Sequence, residues 1–159
     1  METTLHIREY QAADYDVVWQ LHILSLQSVG AYAGNGSWDN DLHSIEEVYL
    51  NNRGAFLVGE CEGRIVAIGA LRRTNEKRAE IKRMRVHPDF QEHGFGKMIL
   101  QALEAKALVL GYSVLHLDTS TVQTAAQSLY RKNGYKETGE TREHRGFIDI
   151  FFEKCISSV

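Results

Sequence analysis

The chain has 159 residues, 43% of them apolar and 25% charged, with a formal net charge of −3 and two cysteines. These values describe one ordinary globular domain, residues 1–159, long enough to bury most of its apolar surface. They argue against nucleic acid as a partner, against a disulfide framework and, with no long apolar run, against a membrane span.

Met1-Glu2-Thr3-Thr4 carries no basic-then-apolar leader pattern, so a cytoplasmic location is expected. Cys61 and Cys155 lie in apolar, strand-like runs and are expected as buried free thiols. The seven histidines show no HExxH-type spacing, so no metal is expected.

Leu5-His6-Ile7-Arg8 alternates as a first strand. Asp14 is placed to cap a helix whose inward face would be Val17, Val18, Leu21 and Leu24. Three glycines, Gly30, Gly34 and Gly36, make the next stretch a loop. Ser44-Ile45-Glu46-Glu47 has the form of a capping box for a short helix that stops at Asn52-Arg53-Gly54. Ala55 to Cys61 and Arg64 to Leu71 are β-rich and flank Glu62-Gly63, a hairpin signal.

A turn at Asn75-Glu76 leads into a strand from Arg78 to Val86 whose pattern has a fault. Ile81 and Met84 are three residues apart, whereas Met84 and Val86 are two apart. A β-bulge near Lys82-Arg83 restores the alternation. Beyond Pro88 a glycine-spaced segment opens onto a helix with the stripe Ile99, Leu103, Ala107 and Leu110, stopped by Gly111. Val114 to Leu117 reads as a strand. Ala126, Leu129 and Tyr130 share one face of a helix ending at Asn133-Gly134, and two strands begin near Tyr135 and Phe147. Helices alternating irregularly with strands, three of them consecutive, imply an α/β fold around a sheet of mixed direction.

Strand, glycine loop and helix start together form a phosphate-binding geometry, because the first-turn N–H groups lack helical partners and the dipole lies behind them. A P-loop would need glycine at Gln91 and Ser or Thr at Met98, and a dinucleotide fingerprint would need Gly or Ala at Ile99. What remains is Gln91-x-x-Gly94-x-Gly96. This resembles the acyl-CoA pyrophosphate loop of the GNAT superfamily, the general-control-related N-acetyltransferases. Downstream, Ala126-Gln127-Ser128-Leu129-Tyr130-Arg131-Lys132-Asn133-Gly134-Tyr135 is similar to the superfamily's second signature. Glu80 begins the strand feeding the loop, where many members carry a catalytic carboxylate.

The resemblance implies a mixed, mostly antiparallel central sheet flanked by helices, and acetyl-CoA as cosubstrate. It implies transfer of an acetyl group to a primary amine in a ternary complex; no cysteine near the motifs suggests an acyl-enzyme. Glu80 would take the proton from the amine, and Tyr130 would return one to the departing thiolate. Main-chain groups of Met84, Arg85 and Val86 would hold the pantetheine arm, with the Met84 amide on the acetyl carbonyl. Gln91, Glu92, His93, Gly94, Phe95, Gly96 and Lys97 would wrap the pyrophosphate, with Lys132 helping to offset Glu92. Ala126 and Gln123 would meet the cofactor from the second motif, Gln123 standing where the superfamily often has asparagine.

The acceptor would contact the segment between the first two helices, where Tyr32, Trp38, Asp39 and Asp41 lie. Each residue also has a plainer reading: Glu80 as a strand-end carboxylate paired with Lys82 or Arg78, Tyr130 as packing, Asp41 as a cap, Trp38 as core. Two functions therefore stand side by side, an N-acetyltransferase and a non-catalytic acyl-CoA-binding sensor. A homodimer is compatible with either.

Overall fold

A computed structural model of the chain describes residues 4–34 and 36–158. Seven strands form one sheet: β1 (His6–Glu9), β2 (Ala55–Cys61), β3 (Arg64–Arg73), β4 (Arg78–Val86), β5 (Val114–Ser120), β6 (Lys136–His144) and β7 (Phe147–Cys155). Their order is β1-β2-β3-β4-β5-β7-β6, and every pairing is antiparallel except β4 with β5. The helices are α1 (Tyr15–Ser28), α2 (Phe95–Val109) and α3 (Thr124–Lys132). No described helix is long and apolar enough to cross a membrane.

Helices cover both faces of the central strands, which is why β2 reads as an almost unbroken apolar run and is buried along nearly all its length. On one face, Ile99, Leu100, Leu103 and Ala107 of α2 pack with Val66, Leu71, Ile81 and Leu117. On the other, Val18 and Leu21 of α1 pack with Tyr49, Phe56, Val58 and Ile68. Burying each such large side chain stabilises the fold by about 1.5–3 kcal/mol. At the β2–β3 hairpin, Glu62 and Gly63 both have positive φ, as a two-residue turn of this hand requires.

Three local expectations are corrected. The buried face of α1 is Val18, Leu21, His22 and Ser25, while Val17 and Leu24 are 44% and 40% exposed. The stripe is rotated because two of its members are polar, and the partners of His22 lie 17 and 63 positions away. Neither cap forms. Asp14 accepts from Arg8 and the Gln11 amide, and Glu46–Leu50 is one π-helical turn with no side-chain cap. Cys61 is buried but Cys155 is exposed; it lies three residues beyond buried Phe152, so alternation turns it to the opposite face.

Candidate active site

The bulge expected in β4 is present. Ile68 pairs with Arg85 and Ala70 with Lys82, so Arg83 and Met84 lie together opposite Gly69, and Arg83 has φ +59°. Gly69 makes this possible. A Cβ there would fall 2.8 Å from Met84 Sδ and 2.5 Å from Ile99 Cγ2.

The parallel pairing of β4 with β5 covers only Arg78, Ala79 and Glu80. From Ile81 onward the two strands part, leaving the β5-facing edge of β4 without a neighbouring strand. That wedge is the candidate site.

On one side of the wedge is a groove of about 380 Å³. Met84, Arg85 and Val86 line it from β4, with Gln91, Glu92, Gly94, Phe95, Gly96 and Lys97 from the loop and Gln123, Ala126 and Tyr130 from the α3 region. His93 and Lys132 do not line it; His93 lies against Phe95, and both are exposed. Gly94 caps α2 in the left-handed region at φ +78°, a conformation glycine adopts at least cost. The first α-helical bond of α2 runs from Met98 N to Gly94 O, so the amides of Phe95, Gly96 and Lys97 lack helical acceptors. The first turn holds no acidic side chain to compensate the helix dipole. The Phe95 ring is buried and stacks on Phe90, which anchors the loop and leaves only its backbone for a ligand.

On the other side is a cavity of about 490 Å³ that contains Tyr32, Trp38, Asp39 and Glu80 among its walls. Leu26, Met84, Arg85, Gln123 and Tyr130 line both spaces, so cavity and groove meet at the bulge. Glu80 makes no ion pair among the described residues, and the Arg78 guanidinium instead bonds Glu153 at 2.9 Å. Burial raises the Tyr130 phenol to about 12, against a smaller opposing effect of Arg85, so it holds its proton at neutral pH.

Beneath the cavity lies a polar network that sequence patterns did not show. Arg83 Nε donates to Asp41 Oδ2 at 2.9 Å, its Nη1 to Asp39 Oδ1 at 3.2 Å, and its Nη2 to the Trp38 carbonyl at 2.7 Å. The Tyr49 hydroxyl also donates to Asp41. Burial alone would raise the Asp41 carboxyl, but Arg83 and Tyr49 outweigh it and hold it at about 2. His22 is completely buried, and desolvation, with Arg85 and Arg83 nearby, outweighs Asp39 and lowers its imidazole to about 4. It is therefore neutral at pH 7. Nε2–H donates to Asp39 at 3.1 Å, and Nδ1 accepts from Arg85 Nε at 3.4 Å. Asp39 and Asp41 thus hold internal partners and pin the loop after α1 to the bulge. The one available signal was the dense basic run Lys82-Arg83-Met84-Arg85 inside a strand of the central sheet. Among the described residues no group of three or more His, Cys, Asp and Glu could hold a metal ion.

The model of the Acetyltransferase (GNAT) family matches residues 17–135. The chain belongs to the GNAT acetyltransferase family. The matched span takes in the GNAT bulge, glycine loop and second motif, and stops short of β6 and β7. N-acetyltransferase 8 of Homo sapiens is 34% identical over 107 residues, covering 64% of this chain and 47% of that protein. The chain thus spans about half the length of that relative. A GNAT-family acetyltransferase from Staphylococcus aureus Mu50 shares the fold with a TM-score of 0.87 at 20% identity, covering 97% of this chain and all of the other. The acetyltransferase yncA of Salmonella typhimurium, whose structure holds acetyl-CoA, has a TM-score of 0.80 at 19% identity, covering 98% and 96%. The seven-stranded, mostly antiparallel sheet is therefore a GNAT fold.

Proposed function

We propose that the protein is an acetyl-CoA-dependent N-acetyltransferase that passes the acetyl group directly to a primary amine held in the 490 Å³ cavity. The observation that carries this reading is the meeting of an anion-suited groove and a polar cavity at the β4 bulge, with Glu80 and Tyr130 on its walls.

In this reading the pyrophosphate lies on the free amides at the start of α2, and the pantetheine arm runs along the open edge of β4 as an added strand. Glu80 takes a proton from the acceptor ammonium. The amine nitrogen attacks the thioester carbon, and the Met84 N–H, outside regular pairing, donates to the developing oxyanion. Collapse breaks the C–S bond, the thiolate takes the Tyr130 proton, and the excess proton on the nitrogen restores the Tyr130 phenol, leaving a neutral amide and a free thiol. The decisive experiment incubates the protein with acetyl-CoA and a broad amine panel and follows free thiol. Tight acetyl-CoA binding without thiol release across the panel would select the sensor reading instead.

Gly94→Val should lower acetyl-CoA affinity at least tenfold. Its Cβ would meet nothing within 4 Å, so the obstacle is conformational: φ +78° costs a β-branched residue ~1–3 kcal/mol and distorts the loop. The loop is exposed, so the fold should persist. Undiminished acetyl-CoA binding by calorimetry would remove the pyrophosphate assignment.

Tyr130→Phe keeps the ring and deletes only the hydroxyl. Turnover should drop, by the ~10²–10⁴-fold typical of a positioned acid, with acetyl-CoA affinity and melting temperature nearly constant. A Phe variant with full turnover under chemistry-limited conditions would make Tyr130 a packing residue.

A further inference from the structure

The charged walls of the acceptor cavity are unevenly paired. Arg83 holds Asp39 and, just behind the wall, Asp41. Arg142 holds Asp149 at 3.0 Å and Asp118 at 3.6 Å. Two arginines thus engage four carboxylates. What remains facing the space is one carboxylate, Glu80, and three cations, Lys82, Arg85 and Arg145, none with a carboxylate in ion-pair contact among the described residues.

Arg85 is half-buried, and among the described residues its hydrogen bonds use only Nη1, to the Met84 carbonyl at 2.8 Å, and Nε, to His22. A guanidinium carries five N–H donors, so most of its capacity is open. Burial, with repulsion from Arg83, outweighs the opposing effects of Tyr130 and Asp39 and lowers Arg85 to about 10. A half-buried guanidinium with no carboxylate in contact is held at a cost that an incoming anion would relieve.

Arg145 reaches the same cavity from the β6–β7 turn. His144 pairs with Phe147, so Arg145 and Gly146 form a two-residue turn, and Arg145 sits at φ +55° where glycine or asparagine is favoured. Its guanidinium lies 5.0 Å over the Trp38 ring, at the cavity wall. Nearby, the buried Thr119 hydroxyl on the same wall has no hydrogen-bond partner.

We infer that the acceptor is a small zwitterion, an amine that also carries a carboxylate, with its ammonium at Glu80 and its carboxylate held between Arg85 and Arg145. The inference rests on the transferase reading and narrows its substrate class. A polyamine or other polycation would leave both guanidinium groups uncompensated and bring a further positive charge beside Lys82. A zwitterion satisfies both signs at once, and bidentate geometry suits a carboxylate to arginine.

The test uses the full chain with acetyl-CoA and compares the twenty standard amino acids with their carboxamides, following thiol release. The best amino acid should exceed its own carboxamide in kcat/KM by roughly 10–100-fold, the value of one charge-assisted hydrogen bond. Arg145→Gln, in an exposed turn, should melt like the wild type and reduce that ratio to within about threefold, mainly through KM. Equal use of acid and carboxamide by the wild type, or a ratio unchanged in Arg145→Gln, would overturn the inference and leave the transferase reading intact. If no amine releases thiol, the transferase reading fails, and calorimetry with the same amino acids then decides the anion site alone. Binding that Arg145→Gln weakens supports the site; no binding by any amino acid overturns it.

Discussion

Glu80→Gln should lower kcat/KM at neutral pH by ~10²–10⁴-fold, the usual contribution of a positioned general base. The amide keeps the shape of the side chain at the last paired position of β4 with β5, so the fold should be unaffected. The deficit should shrink as pH rises, because a growing fraction of the acceptor amine then arrives without its extra proton. Rate–pH profiles of the two proteins check this directly. Parallel profiles with equal rates would make Glu80 a bystander.

Arg83→Met should be the most destabilising single change near the site. It removes the cation facing Asp39 and Asp41, whose side chains are 3% and 8% exposed, and strands two carboxylates in the interior. Breaking a buried pair in this way costs ~3–5 kcal/mol. For a domain of this size, that corresponds to a fall in melting temperature of roughly 6–20 °C. Adding Asp41→Asn to the variant should recover part of the loss, since one orphaned charge is then gone. A single mutant that melts with the wild type would show that solvent reaches both carboxylates.

The parts of the molecule that local pattern governs were legible in the sequence. The spacing of Ile81, Met84 and Val86 located the bulge, because a period-two strand cannot place those three on one face without an extra residue. The glycine loop and the Ala126–Leu129–Tyr130 face were equally local. What escaped depends on partners far apart in the chain. His22 was absent from the expected inward face of α1, because the acceptor that lets it be buried, Asp39, lies 17 positions away. Asp39 and Asp41 looked available for a cationic substrate, but Arg83, 42 and 44 positions away, occupies both. Arg145 enters through the β6–β7 turn, and nothing near it in sequence says that it faces Trp38.

The three-residue seam between β4 and β5 has a thermodynamic consequence. Seven strands fall into two antiparallel leaves, β1 to β4 and β5, β7 and β6, and only that short spine joins them within the sheet. A ligand that lies along β4 and touches α3 closes the gap as a missing strand would. Such a ligand binds the native chain and not the unfolded one, so it contributes about 2.7 kcal/mol to folding at a hundred times its Kd. The metabolic supply of the cosubstrate would then set not only the rate of the chemistry but also the lifetime of the chain against proteolysis.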